Sequence, residues 1–121
     1  MHELRDKPRE NDEKKDLTMF NFEKLEVWKK AIEFADFVYS VTRTFPDDER
    51  FGLTNQMRRA AVSISSNIAE GTLRHSQQDY ARFIEIAAGS VFEVVSQSII
   101  AQRQNYLSET NRQRIYAAAE E

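Results

Sequence analysis

The side chains able to carry acid–base, nucleophilic or metal chemistry are few in this chain and far apart. It has two histidines, His2 and His75, and no cysteine. Neither histidine belongs to an H-E-x-x-H or E-x-x-H pattern, which helix-borne zinc and di-iron sites require. No G-x-S-x-G, P-loop or G-x-G-x-x-G motif occurs either. The sequence therefore predicts a protein without enzyme activity, bound metal, cofactor or small-molecule substrate.

Carboxylates are more numerous, and two of their positions could bind a cation or hold a proton. The "DDE" run at positions 47–49 stands near a predicted helix start, and we interpret it as solvated charge rather than as a cation site. Glu93 stands among apolar residues, where a carboxylate needs a partner. Arg58 or Arg59 is the natural partner, and Glu70 would share the network. The pattern favours a structural ion pair over a catalytic carboxylate.

Arginines offer a second kind of chemistry, which is contact with phosphate. The net charge of the chain is −3, but between positions 50 and 82 five arginines stand against two carboxylates. Arg74 and His75 fall in a turn before a predicted helix, where such side chains can contact phosphates, and Arg82 follows one to two turns later. These three residues are the candidate nucleic-acid contacts. Simple solvation at the surface is the alternative interpretation.

The elements that must position these residues are helices. Only three glycines and two prolines occur, which is typical of a few long helices. Asn21 is a candidate N-cap of the first helix, and Pro46 ends it. Gly71 is a candidate left-handed residue after the second helix, and Ser76 begins a capping box at the third. Helical spacing of apolar residues predicts helices over residues 22–45, 53–70, 77–104 and 108–121.

The apolar faces of these helices are wide. The first helix has two adjoining stripes, one from Leu25 to Tyr39 and one from Val27 to Val41, and the predicted core face of the third helix reaches Ile99. Four helices joined by short loops predict an all-α, up-down antiparallel four-helix bundle. A face wider than one core needs also favours contact with a second subunit.

The chain divides into two parts by composition. Eleven of the first 16 residues are Asp, Glu, Lys or Arg, so this segment cannot bury enough surface to order itself. We assign residues 1–18 to a charged tail and residues 19–121 to the bundle domain. The lack of cysteine, of a secretory signal and of a long apolar run predicts a cytoplasmic protein that does not enter a membrane.

The segment "RRAAVSISSNIAEG" is the most unusual stretch of the sequence. It gives the second helix one apolar face and one face of small residues, and the third helix has a matching patch around Gly89. A glycine inside a helix costs about 1 kcal/mol relative to alanine, which favours a tight crossing at that point. Close packing within one subunit and packing between subunits both remain open. The residues assigned to this polar network or subunit interface are Arg58, Arg59, Ser63, Ser66, Asn67, Glu70, Gly89, Ser90 and Glu93.

Four motifs resemble one bacterial protein family. They are "LEVWKKA" (25–31), "FPDDERFGL" (45–53), "QMRRAAVSISSNIAEG" (56–71) and "IAAGSVFE" (86–93). The chain resembles the four-helix-bundle, ribosomal-protein-like proteins encoded by intervening sequences in 23S rRNA genes. That family is related to the accessory variability determinant of diversity-generating retroelements. One departure is Ser65, where the family commonly has proline, so the second helix should lack a kink.

The resemblance implies a four-helix bundle without enzyme activity that assembles into a homopentameric ring. The retroelement relatives bind nucleic acid and a reverse transcriptase and are strongly basic, whereas this chain is mildly acidic. The sequence thus predicts an oligomeric protein that binds structured RNA or an RNA-handling enzyme. The alternative is an assembly scaffold that binds only protein.

Overall fold

The computed structural model describes residues 21–120 of the chain. Four α-helices form this part, and no strand is found within it. The predicted tail at residues 1–18 lies outside the described residues. The all-α prediction is confirmed, and the four helices are consistent with a four-helix bundle. The helices are α1 (Glu26–Thr42), α2 (Leu53–Gly71), α3 (Gln77–Arg103) and α4 (Glu109–Ala119), with 3-10 turns at Asn21–Lys24 and Asp47–Glu49.

The first helix is shorter than predicted at both ends. Asn21 opens a 3-10 turn and does not cap α1, whose N-cap position is occupied by Leu25 in an extended conformation without a side-chain cap. The ring of Phe22 packs edge-on against Trp28, with centroids 5.1 Å apart, and this contact accompanies the break before α1. The helix ends at Thr42, and Pro46 follows in an extended conformation, as its ring favours.

Only one of the two apolar stripes of α1 forms the core. Ala31, Phe34, Val38 and Val41 are buried, whereas Leu25, Trp28, Ile32 and Ala35 of the other stripe are half-buried. Tyr39 is more exposed still. The bundle core comprises Ala31, Phe34, Val38, Val41, Phe45, Met57, Ala60, Ala61, Ile64, Ile68, Ala87, Val94, Ala101, Leu107 and Ile115.

Gly71 has a different role from the one predicted. It is the last residue of α2, and no glycine within residues 21–120 has a positive φ. A Cβ atom at Gly71 would lie 3.2 Å from Phe83 Cβ and 3.2 Å from Tyr80 Cδ1. The glycine therefore permits the close approach of α2 to α3. Ser65 donates its hydroxyl to Val62 O at 3.2 Å, and α2 is a single helix that runs through it.

The ends of α3 and α4 follow local sequence signals. Ser76 caps α3 by accepting a hydrogen bond from Asp79 N at 3.0 Å, which confirms the predicted capping box start. Ser108 caps α4 in the same way through Asn111 N at 3.1 Å. After α3, Asn105 has a φ of 65° and is left-handed. Tyr106 N then donates to Ala101 O at 2.9 Å, which closes the helix end.

Neighbouring helices pack in a ring of four contacts. The most extensive contact is between α2 and α3, followed by α1 with α2, and α4 packs on both α3 and α1. Within residues 21–120, α1 and α3 make no comparable backbone approach. These two helices face each other across the bundle. Side chains fill part of the space between them, and the rest is an open groove.

The third helix is more apolar than its packing requires. By length and composition alone it could cross a membrane, because its most apolar 18-residue window has a mean hydropathy of 1.5. The sequence prediction missed this because Glu85 and Glu93 interrupt the apolar run. Only 22% of that window is buried inside the bundle. Much of the apolar surface of α3 therefore faces outward.

Candidate functional site

The predicted polar network is only partly assembled within one chain. Asn67 Nδ2 donates to Ser63 O at 2.8 Å and to Ser63 Oγ at 3.0 Å. Ser90 Oγ donates to Ser63 Oγ at 2.9 Å, which joins α3 to α2. Small hydroxyl side chains let the two helices approach while each polar group keeps a partner. Ser63, Asn67 and Ser90 thus form a packing contact inside the subunit.

Arg58 joins a different pair of helices from the one predicted. Its Nε donates to Thr42 Oγ1 at 2.8 Å, and one terminal nitrogen donates to Tyr39 O at 3.3 Å. The guanidinium also lies 4.6 Å from the centroid of the Tyr39 ring. These contacts fasten α2 to α1, so Arg58 does not pair with Glu93 in this chain.

The other members of the expected ion-pair network also lie apart. Glu93 is exposed and accepts a hydrogen bond from Gln97 Nε2 at 3.3 Å, while Glu70 lies 3.9 Å from Arg74. Arg59 is exposed and makes no ion pair with any described residue. The pairing predicted within the chain is therefore wrong. The physical reason is that Glu93 projects outward, where water solvates its carboxylate and no buried partner is required.

Gly89 is not at a helix crossing. A Cβ atom built on it would have no heavy atom within 4 Å, so the tight contact predicted there is made at Gly71 instead. Ser66, on the outer side of α2, is likewise exposed. Neither residue is needed for packing inside the chain, and their assignment to a subunit interface stays a prediction.

The candidate phosphate contacts lie at the α2–α3 end of the bundle. The guanidinium of Arg74 stacks over the ring of Phe83, 4.5 Å from its centroid, and lies near Glu70. His75 and Arg82 are exposed, and no ion pair to Arg82 is made within residues 21–120. The charge of Arg74 is therefore partly neutralised, whereas His75 and Arg82 are open to solvent.

The acidic turn before α2 is a structural feature that the sequence interpretation missed. Glu49 Oε1 accepts a hydrogen bond from Leu53 N at 2.9 Å and so caps α2. Glu49 Oε2 accepts a hydrogen bond from the hydroxyl of Tyr106 at 3.3 Å. Partial burial, together with the neighbouring Glu49 carboxylate, raises the pKa of Tyr106. Within residues 21–120 no cluster of His, Asp or Glu has the arrangement of a metal site.

Two apolar surfaces remain after the core is built. A groove of about 260 Å³ opens between α1 and α3 and ends against the last turn of α4. Its walls include Val27, Phe34, Ile64, Ile68, Ile84, Val91, Phe92, Ala118 and Ala119.

The second surface runs along the outside of α3 and meets the groove at Phe92, and we name it the α3 strip. It consists of Ile86, Phe92, Ile99 and Ile100, which are 44%, 75%, 41% and 49% exposed. Ile99 was expected in the core, and that prediction is wrong. The signal available in the sequence was the presence of apolar residues on all sides of this helix, which a helix with one buried face does not need.

Comparisons with known proteins agree with this architecture. Residues 23–121 match the family described as 23S rRNA-intervening sequence protein. A crystal structure of a protein of unknown function from the S23 ribosomal protein family of Bacteroides thetaiotaomicron has the same fold, with a TM-score of 0.69 and 23% sequence identity. The alignment covers 78% of this chain and 88% of that one. No curated protein matched the sequence. Since the family match spans nearly all of the described helices, the chain belongs to the 23S rRNA-intervening sequence protein family.

Proposed function

We propose that this protein is a non-enzymatic, cytoplasmic assembly protein whose up-down antiparallel bundles associate into a homopentameric ring. The observation that carries the proposal is the α3 strip, because four large apolar side chains face solvent in a single chain. Extensive exposed apolar surface marks interaction sites. A head-to-tail contact that closes produces a ring.

The mass of the particle in solution tests the assembly. Five chains of 14.1 kDa give a pentamer of about 70 kDa. Size exclusion coupled to light scattering should give this mass at micromolar concentration. A mass of one chain under the same conditions would contradict the proposal.

We further propose that the ring binds structured RNA or an RNA-handling enzyme through the α2–α3 ends. The support is the grouping of Arg74, His75 and Arg82 beside the N-terminus of α3, where the helix dipole favours phosphate. A pentamer would carry five times −3, or −15, so attraction must come from this local patch. The relation to the basic, nucleic-acid-binding proteins of retroelements is part of the same proposal.

Fluorescence anisotropy with a structured rRNA fragment tests RNA binding. Affinity should fall with salt by a logarithmic slope of about −0.7 to −0.9 for each phosphate contact. Arg82→Glu should weaken binding, whereas Arg103→Glu, at the opposite end of the same helix, should not. Both arginines are exposed, which makes the second variant a matched control. Equal loss in both variants would place the contact elsewhere.

A scaffold that binds only protein is the second candidate function. The observation that favours it is the contact of Arg74 with Glu70 and Phe83, which neutralises part of the proposed patch. If wild type binds no RNA at low salt but has the mass of a pentamer, the scaffold function is supported and RNA binding is excluded.

A further inference from the structure

The α3 strip is long enough to receive another helix. It extends from Ile86 to Ile100, which at ~1.5 Å per residue is about 21 Å of helix. Gly89 lies inside this stretch, and the space above its Cα is open. Because glycine has no side chain, a partner can approach the backbone of α3 closely beside Phe92. Phe92 is the most exposed side chain of the strip.

The exposed area of the strip suits the centre of a protein interface. From the exposed fractions of its four side chains, the strip presents on the order of 400 Å², taking roughly 150–250 Å² for one large side chain. Each partner in a standard interface buries ~800 Å², with an apolar centre and a polar rim. Glu93 and Ser96 are exposed, border the strip and supply such a rim.

Two opposite charges, one on α2 and one on α3, lie at a similar level of the bundle without meeting each other. Ser63 contacts Ser90, and Gly71 approaches Phe83, which fixes the register of α2 against α3. Arg59, one turn before Ser63, and Glu93, about one turn after Ser90, are therefore near the same level of the bundle. Both are exposed, and they form no ion pair with each other in the described part of the chain.

Gln97 is the side chain that contacts Glu93 within the chain. Its side chain is buried, its Nε2 donates to Glu93, and its Oε1 has no hydrogen-bond partner in residues 21–120. A buried carbonyl oxygen without a donor is unfavourable, but this atom lies inside the chain and is not part of the surface open to a partner.

We infer that the outer face of α3 is the surface on which a second copy of this chain packs, with Glu93 of one copy paired to Arg59 of the next. This inference rests on the proposed self-assembly and adds the surface and the charge pair. The strip supplies the apolar centre of the contact, and the two unpaired charges are complementary. A second copy also carries both Glu93 and Arg59, so each chain of an assembly can pair its Glu93 with Arg59 of the next chain.

A lipid surface fits the strip less well than a second copy does. Glu85 and Glu93 lie along the same outward side of α3, and carboxylates oppose insertion into hydrocarbon. Anionic head groups would repel them, and the chain as a whole has a net charge of −3. A protein partner bearing an arginine removes that penalty.

A charge exchange tests the inference by light scattering across a dilution series. Glu93→Arg and Arg59→Glu should each raise the dissociation constant of the assembly at least tenfold. The double variant, which combines Glu93→Arg with Arg59→Glu, should recover the wild-type mass. Its two charges are opposite again, with their positions exchanged, and can pair. Asp36→Arg, which reverses an exposed carboxylate on α1, is the matched control and should leave the mass unchanged.

Phe92→Ser tests the apolar centre independently. Phe92 is mostly exposed, so the variant should fold with unchanged helicity by circular dichroism while its assembly dissociates. An assembly of wild-type mass in Phe92→Ser would overturn the assigned face while leaving self-assembly intact. Loss of assembly in Phe92→Ser without recovery in the charge exchange would overturn the Glu93–Arg59 pair.

A monomeric wild type would instead overturn the proposed self-assembly itself. Sedimentation with phosphatidylcholine–phosphatidylglycerol vesicles tests whether a lipid surface, instead of a second copy, binds the α3 strip. Binding of the wild-type chain to vesicles that Phe92→Ser abolishes would show that the strip meets lipid rather than a second copy. Absence of vesicle binding, with dissociation of the Phe92→Ser assembly, supports the inference.

Discussion

At the scale of single residues, several polar side chains in this protein form hydrogen bonds that join neighbouring elements. Arg58 joins α2 to α1, Ser90 joins α3 to α2, and Glu49 links the start of α2 to Tyr106. In these three contacts the polar groups are paired with each other, which is how buried polar groups are tolerated. Their partners lie 16 to 57 residues away in the chain, so spacing in the sequence did not reveal them.

The Tyr106–Glu49 contact predicts a loss of stability at alkaline pH. The pKa of Tyr106 is raised above 10.0 in the folded chain, so the folded state favours the neutral phenol. Its contribution is complete below the unfolded pKa and is lost as pH rises through the folded one. Denaturant midpoints measured from about pH 9 to about pH 11 should therefore fall less steeply in Tyr106→Phe than in wild type. Tyr116→Phe, an exposed phenol on α4, is the control and should behave as wild type.

At the scale of elements, helix existence followed from the sequence, whereas helix ends and faces depended on neighbours. The predicted starts of α2, α3 and α4 agree with the structure because caps and apolar periodicity are local signals. The start of α1 does not, because a 3-10 turn precedes it, in which Phe22 packs against Trp28. Gly71, rather than Gly89, lies at the close approach of two helices, since only the packed structure shows which glycine meets another helix.

The two glycines predict opposite responses to a larger side chain. Gly89→Ala should raise the free energy of unfolding by about 0.5–1 kcal/mol, because alanine favours helix and meets no neighbour. Gly71→Val should lower it by about 1–3 kcal/mol, because the added atoms press on Phe83 and Tyr80. Urea midpoints at one protein concentration measure both. A stabilised Gly71→Val would show that α2 and α3 are not in close contact at that end.

At the scale of the whole molecule, the chain is a bundle with more apolar surface than its own core uses. The core is continuous across all four helices, yet the α3 strip and the groove beside α1 stay open. No metal-site cluster is found in residues 21–120, and the family match indicates a fold but no reaction. Open apolar surface is therefore the most prominent feature that residues 21–120 present for interaction.

The domain boundary proposed from composition leads to a prediction at the same scale. A chain that begins at Met19 should keep the helicity and the melting temperature of the full protein, because the family match begins only at residue 23. Thermal unfolding followed by circular dichroism compares the two chains. A melting temperature lower by more than about 4–8 °C, equivalent to roughly 1 kcal/mol in a domain of this size, would assign residues 1–18 to the folded unit.

The sequence by itself determined the helical class, the approximate helix spans, the family and the scarcity of catalytic groups. These properties arise from local periodicity, capping residues and composition, which need no partner in space. The tertiary structure decided which stripe of α1 is core, which glycine lies at a helix crossing, and that Arg58 contacts Tyr39 and Thr42 rather than Glu93. It also placed Phe92 and three isoleucines on the outside of α3. An apolar residue is hydrophobic in any sequence, but whether it faces a core or a partner depends on where the other helices lie.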